Sequence, residues 1–270
     1  MHYDQRMDLT SPILRSDLAL LPADAIWRDC GDVISVHTSS APNFFWGNYL
    51  IVPRTGSSCS AAQLVELFHQ RFDCDHIAIA WDSDVLPSRA TLNAFDRMGF
   101  EIDQCHGLSF AEIAEPLMEL STNDVRQIES DEDWQRVVSL QQMMLGENTN
   151  LADRELVSRR FQRFRQLVSA GNGFWFGAFS DGQLAADLGI FVFDGIARFQ
   201  QIETHPSFRR RGYCTQLLIA AIQQVRRAFG HVRIVLEAEA DSDALALYRK
   251  IGFAPTETLI SAFKLPKSLI

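Results

Sequence analysis

The stretch that decides the fold reads THPSFRRRGYCTQLL, from Thr204 to Leu218. A strand-like run ends where it begins, and a helical pattern of leucines starts near its end. The first N–H groups of a helix have no partners inside the helix, and the helix dipole makes that end positive. Gly212 keeps a Cβ atom out of the way, and the arginines at 209–211 add positive charge. These residues predict a phosphate or pyrophosphate site, and a merely solvated surface is the alternative.

The rest of the second half supplies the elements around this segment. Residues 153–168 follow a helical pattern, and residues 174–204 contain three strand-like runs divided by Asp-Gly turns at 181–182 and 194–195. After the helix that Gly230 closes come a strand at 232–240, a short helix at 242–255 and a last strand at 259–266. The order is helix, three strands, helix, strand, helix, strand.

Two motifs in this order resemble those of the GNAT superfamily of N-acetyltransferases. RRRGYC at 209–214 is similar to the family's Q/R-x-x-G-x-G/A signature. SDALALYRKIGF at 242–253 is similar to its second signature, in which a helix carries a tyrosine shortly before a Gly-Phe exit. The resemblance covers residues 128–270 and implies an α/β (α+β) fold of mixed, mostly antiparallel sheets flanked by helices. It also implies an acetyl-coenzyme A-dependent N-acetyltransferase.

The resemblance assigns the coenzyme site residue by residue. Backbone groups of Ile202, Glu203 and Thr204 would bind the pantetheine arm. The amides that would wrap the pyrophosphate belong to Arg209, Arg210, Arg211, Gly212, Tyr213, Cys214 and Thr215. Asp241 stands where many relatives have an asparagine that contacts the pantetheine, and Cys214 stands where Gly or Ala is usual.

The reaction implied is attack of a neutral amine on the thioester carbonyl, which needs a base for the ammonium and an acid for the sulfur. Tyr248 matches the tyrosine that protonates the departing thiolate, and we expect it to titrate near pH 10 or somewhat below. Glu203 is the candidate base, acting through water. The simpler alternatives are a core position for Tyr248 and a solvated surface position for Glu203.

The first half resembles a degenerate copy of the second. HIAIAWDSDVLPSRATLNAFDRMGFEI, from His76, can be aligned with VRIVLEAEADSDALALYRKIGFAPT, from Val232. Residues 44–54 are predicted as a strand and 59–72 as a helix, but no Arg/Gly loop joins them. We therefore predict tandem GNAT-like domains, a degenerate one at 1–120 and a catalytic one at 128–270, with a boundary near 120–128. A chance likeness over a short stretch is the alternative.

Composition narrows the class of partner. The formal net charge of −9 disfavours a polyanionic partner, so we expect no nucleic acid. The sequence contains no run of 18 apolar residues and its first 21 residues are repeatedly interrupted by charge, so we expect a soluble, cytoplasmic protein that has no signal peptide and binds no membrane. The five cysteines are widely spaced without clustered histidines, so we expect reduced thiols and no metal. A homodimer is compatible with the sequence.

The motifs do not name the acceptor, which we expect to be a primary amine of a small molecule, an amino acid or a peptide. The arginines at 154–165 could attract an anionic acceptor or form a solvated helix face. Two functional alternatives remain. One is a regulatory module that binds coenzyme A without turnover; the other is an aminoacyl-tRNA-dependent transferase, which an intact pyrophosphate loop and the negative charge disfavour.

Overall fold

The structure is a computed structural model that describes residues 9–111, 125–146 and 151–265. The described helices are α1 (Pro12–Leu20), α2 (Ala61–His69), α3 (Arg89–Arg97), α4 (Asp131–Met144), α5 (Leu151–Ser169), α6 (Tyr213–Phe229) and α7 (Asp243–Ile251). The described strands are β1 (Ala25–Asp29), β2 (Ile34–Thr38), β3 (Tyr49–Val52), β4 (Ile77–Trp81), β5 (Glu101–Phe110), β6 (Val125–Gln127), β7 (Gly173–Ser180), β8 (Gln183–Phe193), β9 (Ile196–Thr204), β10 (Arg233–Glu239) and β11 (Phe253–Lys264).

The described residues divide into two compact units. The first contains those up to Gly107, Glu237–Ala240 and those from Pro255 onward. The second contains those in Leu108–Leu236 and Asp241–Ala254. This division differs from two consecutive blocks, because the end of the chain packs with its beginning. Residues 112–124, which include most of the predicted boundary, lie outside the described residues.

The first unit contains a mixed sheet in the order β1-β2-β3-β4-β11. Strands β3 and β4 are parallel, and the other neighbours are antiparallel. The last strand enters through Ile260–Lys264, which pair with β4, and Ala262 is fully buried in the core beneath α2 and α3. Burial of this apolar strand face is what holds the end of the chain in the first unit.

The second unit contains a mixed sheet in the order β10-β9-β8-β7-β6, of which only β9 and β10 are parallel. The two hairpins turn at Asp181-Gly182 and Asp194-Gly195, where all four residues have positive φ, as two-residue hairpin turns require. Trp175 of β7 is fully buried and contacts Phe161 and Phe164 of α5. This aromatic cluster fixes α5 against one face of the sheet.

The two halves of the chain follow the same order of elements, which confirms the tandem α/β arrangement predicted from the sequence. The series β3, α2, β4, α3, β5 in the first unit corresponds to β9, α6, β10, α7, β11 in the chain's second half. Gly99 and Gly252 both end their helices with φ in the left-handed region, where glycine is favoured. Phe95 and Tyr248 occupy corresponding buried positions four residues earlier.

One predicted strand is shorter than expected. Residues 44–54 were predicted as strand, but only Tyr49–Val52 form β3, and Phe45–Gly47 form a 3₁₀ turn. The cause is Asn48, whose amide nitrogen donates to the carbonyls of Ala41 and Phe44 and whose amide oxygen accepts from the N–H of Thr38. These bonds give the backbone an alternative to the ladder.

Candidate active site

Strand β9 separates from both of its neighbours near its end. Its parallel ladder with β10 covers only Ile196–Arg198, so the backbone edge from Phe199 to Thr204 has no strand partner on that side. On the other side the pairing with β8 shifts register, and Gln201 takes a left-handed φ of 50°. A bulge of this kind bends the strand and interrupts its ladder. The backbone of Ile202 and Glu203 has no β10 partner and can meet a ligand in an extended conformation. The N–H of Thr204 donates to Oε1 of Glu203 at 3.2 Å.

The loop after β9 leads into an uncapped helix. Arg210 and Gly212 have φ of 65° and 86°, and α6 makes its first bond from the Gln216 N–H to the Gly212 carbonyl at 3.1 Å. Gly212 provides no side-chain cap, whereas serines cap α1, α2, α3, α4 and α7. The N–H groups of residues 213–215 thus point toward the exposed loop, which is the arrangement that binds phosphate groups.

The three arginines of the loop do not act alike. All three are exposed, but Arg209 turns back to β9, where its Nε donates to the Thr204 carbonyl at 3.2 Å. Its Nη2 also lies 3.9 Å from Oε1 of Glu203. The guanidinium of Arg211 lies over the ring of Phe208, 5.3 Å from its centroid. Arg209 therefore partly offsets the negative charge of Glu203, the candidate base.

Glu203 of β9, Cys214 of α6 and Tyr248 of α7 lie near enough to act on one another electrostatically. Burial raises the pKa of Cys214 to about 12, with a further contribution from Glu203. The pKa of Tyr248 is also raised, first by burial and then by Cys214 and Glu203, while Arg198 opposes the shift. The expectation that Tyr248 titrates near pH 10 or below is wrong, because its side chain is only 6% exposed. Its hydroxyl therefore keeps its proton throughout the neutral range.

Comparison with known proteins identifies this arrangement. Residues 134–253, which contain the bulged strand, the loop and α7, match the model of the acetyltransferase (GNAT) family. These residues form a GNAT domain. No curated protein matches the sequence of this chain.

Solved structures show the same fold over most of the chain. A conserved protein of unknown function from Staphylococcus epidermidis has 13% identity and a TM-score of 0.73, over 91% of this chain and 96% of that one. A GCN5-related N-acetyltransferase from Kribbella flavida has 17% identity and a TM-score of 0.64, over 93% and 94%. A tandem GNAT protein from the clavulanic acid biosynthesis pathway has 16% identity and a TM-score of 0.57, over 93% and 86%. At these identities the likeness concerns the fold alone.

The start of α2 in the first unit, which corresponds to the start of α6, differs from the loop of the GNAT domain. Helix α2 begins at Ser60, whose hydroxyl accepts from the Gln63 N–H while the Gln63 side chain accepts from the Ser60 N–H. This reciprocal cap engages the N–H groups of Ser60 and Gln63, whereas no side chain caps α6. Where the second half has its Arg/Gly loop, the first half has this cap, and an anion at α2 would have to compete with it.

Three other predicted or overlooked residues have defined positions. Asp241 is exposed with φ of 61°, and the next residue caps α7. Arg198, which the sequence analysis missed, is only 7% exposed and acts electrostatically on Tyr248. Asp187, also missed, is fully buried on β8 directly opposite Glu203. Charged residues inside the apolar strand runs at 183–193 and 196–204 were the only available signal.

Three further findings concern the described residues as a whole. No group of three or more His, Cys, Asp or Glu side chains in residues 9–111, 125–146 and 151–265 is placed to hold a metal ion. In the same ranges no helix combines the length and the apolar character that a bilayer crossing requires. All five cysteines are free.

Proposed function

We propose that this protein is an acetyl-coenzyme A-dependent N-acetyltransferase that acts on a primary amine of a small molecule, an amino acid or a peptide. Membership of residues 134–253 in the GNAT family supports acyl transfer in general terms. The observation that carries the finer proposal is the coincidence of an unpaired strand edge with an uncapped helix N-terminus. An extended pantetheine arm and a pyrophosphate are the two parts of coenzyme A that need these two features.

The strand edge suits the pantetheine arm because that arm carries amide groups. Amides can hydrogen-bond to backbone groups along the edge of β9 that β10 leaves unpaired, as another strand would. The pyrophosphate would then lie at the N-terminus of α6, where Gly212 and the N–H groups of residues 213–215 meet it. The exposed arginines at 210 and 211 add charge at the same end.

The chemistry follows from Glu203 of β9 and Tyr248 of α7. A neutral amine attacks the thioester carbonyl carbon, a C–N bond forms, and the C–S bond breaks with its electron pair going to sulfur. In our proposal Glu203 accepts the proton of the ammonium through water, and the Tyr248 hydroxyl gives a proton to the departing thiolate. Because burial raises the pKa of Tyr248, the hydroxyl is protonated whenever the amine is reactive.

The first unit is proposed to be a degenerate GNAT-like domain that does not bind the coenzyme. Its α2 N-terminus carries the Ser60 and Gln63 cap, with which a pyrophosphate would have to compete. We further propose a cytoplasmic location, with which five free cysteines agree, and no nucleic acid partner, which the net charge of −9 disfavours.

The test combines binding with turnover. Mass spectrometry of the purified protein should find co-purified acetyl-coenzyme A, and calorimetry should give one coenzyme per chain. A thiol-release assay over amines, amino acids and peptides should then identify an acceptor. Binding without thiol release from any amine would favour the non-catalytic regulatory module, and absence of binding would refute the proposed function altogether.

A further inference from the structure

One buried carboxyl group lies next to the candidate site and has no part in the mechanism above. Asp187 of β8 is fully buried. Its Oδ1 accepts hydrogen bonds from Nε2 of Gln141 on α4 at 3.1 Å and from Nε1 of Trp175 on β7 at 3.2 Å. The second oxygen, Oδ2, lies 3.4 Å from the same Gln141 nitrogen. One carboxyl group thus connects α4, β7 and β8.

The position of this group beside the bulge relates it to the candidate base. Asp187 pairs directly across the ladder with Glu203, and the register shift of β9 begins at the next residue. Side chains of directly opposite residues lie on the same face of a sheet and within reach of each other. The two carboxyl groups therefore form a cross-strand pair whose buried member is Asp187 and whose partly exposed member, 29% accessible, is Glu203.

The groups around this pair differ on its two sides. Gln141 and Trp175, which contact Asp187, are neutral hydrogen-bond donors, and Glu203 is the charged group that acts on it. Glu203 lies near Arg209 of the loop and acts on Cys214 and Tyr248 from α6 and α7. The cation Arg209 is therefore beside Glu203, and the two groups that donate hydrogen bonds to Asp187 are neutral.

We propose that Asp187 is a positioning residue of the acyl-transfer site, a carboxylic acid that stays protonated, anchors α4 and Trp175 to the β8–β9 pair, and leaves the single negative charge of that pair on Glu203. This inference rests on the proposed function for its role in catalysis. Burial raises the pKa of Asp187 well above its usual range, and the nearby Glu203 adds to this effect, while the bonds from Gln141 and Trp175 oppose it.

The consequence for catalysis is a defined location for the negative charge. Two carboxyl groups close together do not both ionise readily, so one proton is retained by the pair. If Asp187 holds that proton, Glu203 remains a carboxylate able to accept a proton from water and the ammonium. A protonated aspartate and an asparagine have nearly the same shape, and each offers one carbonyl oxygen as an acceptor.

The first test observes the proton directly and needs no turnover. The ¹³Cγ resonance of Asp187 is assigned by its loss in Asp187→Asn, and its titration is followed by NMR. We expect the chemical shift of a carboxylic acid at pH 7. Glu203→Gln should move the Asp187 midpoint to lower pH, because a like charge is removed, and Gln141→Leu should move it to higher pH, because a donor is lost. A carboxylate at pH 7, or a midpoint unchanged by Glu203→Gln, overturns the proposal.

The second test measures acyl transfer. Asp187→Asn should keep kcat and the acidic limb of the pH–rate profile, kcat within about threefold, because it preserves both donors' acceptor. Asp187→Leu, which keeps the branching at Cγ but has no acceptor, should lower kcat by about tenfold or more, since Gln141 and Trp175 then lose their partner. Displacement of the acidic limb in Asp187→Asn would show that Asp187 is charged and would overturn the proposal. If no amine is acetylated, the NMR titration still decides the state of the pair, so failure of the proposed function is distinguishable.

Discussion

The sharpest test of the coenzyme site is a change of charge at Gly212. Its φ of 86° lies in the left-handed region, and a Cβ atom added there would meet only the Gln216 side-chain nitrogen, at 3.9 Å. The space is therefore open, and the cost of any side chain at this position is conformational, on the order of 1–3 kcal/mol. Asn and Asp share the shape and the tolerance of this conformation, so Gly212→Asn is the matched control for Gly212→Asp.

The expected difference between these variants comes from charge alone. A carboxylate about 5 Å from each of two pyrophosphate charges in a medium of dielectric constant about 80 is repelled by about 0.8 kcal/mol per pair. The sum corresponds to a loss of affinity of more than about tenfold, and a lower effective dielectric constant enlarges it. In the absence of ligand, an Asp at a helix N-terminus stabilises the helix by about 0.3–1 kcal/mol, so Gly212→Asp should unfold no earlier than Gly212→Asn.

The assay is calorimetry with acetyl-coenzyme A at low and high salt, together with thermal unfolding of both variants. Gly212→Asp should bind at least about ten times more weakly than Gly212→Asn, and high salt should reduce the difference. Equal affinities for the two variants would refute the assignment of the loop to the pyrophosphate. A lower unfolding temperature for the aspartate variant would instead show that α6 has a different electrostatic environment.

Three further predictions concern the proton transfers and the last strand. Tyr248→Phe should keep acetyl-coenzyme A affinity but lower kcat by about ten- to a thousandfold. Because burial raises the pKa of the hydroxyl, any alkaline limb of the unmodified protein's pH–rate profile that depends on Tyr248 should lie above pH 10. An unchanged rate would leave Tyr248 as a core residue. Glu203→Gln should depress the rate most at low pH, where the amine is hardest to deprotonate, and leave calorimetric affinity unchanged; a uniform loss across pH would argue against a base. Ala262→Asp should speed amide hydrogen exchange in Ile77–Trp81 by placing a carboxylate in the first unit's core, and protection equal to that of the unmodified protein would contradict the pairing of β11 with β4.

Much of the fold could be predicted because its signals are local. The Asp-Gly pairs at 181–182 and 194–195 fix two hairpin turns, and a glycine with left-handed φ ends α6 and α7 where the sequence places it. These features depend on the conformational preferences of one or two residues and need no distant partner. The pyrophosphate loop is equally local, because a strand end, Gly212 and a helix start are consecutive in the chain. Its role in binding stays a prediction.

The arrangement of the candidate site depended on contacts that no local pattern contains. The sequence placed Glu203 and Tyr248 in one site through the family resemblance, but the raised pKa of Tyr248 follows from burial among β9, α6 and α7. Arg209 is an ordinary member of an arginine run until the loop folds back and brings it to Glu203. In the sequence Asp187 is a polar residue inside an apolar strand pattern. Only the packing of Gln141 and Trp175 makes it a buried, hydrogen-bonded carboxyl group.

The sequence by itself determined where helices, strands and turns lie in the second half, which segment is the candidate anion site between β9 and α6, and that the first half repeats the same order. Only the tertiary structure decided that the chain's last strand pairs with β4, because the alternating pattern of a strand specifies which face is buried but not which neighbour it meets. The tertiary structure likewise decided how Asp187 of β8 and Glu203 of β9, which lie opposite each other, differ in burial. Their register makes one a buried acid and the other a partly exposed candidate base, since burial and cross-strand pairing are properties of the assembled sheet.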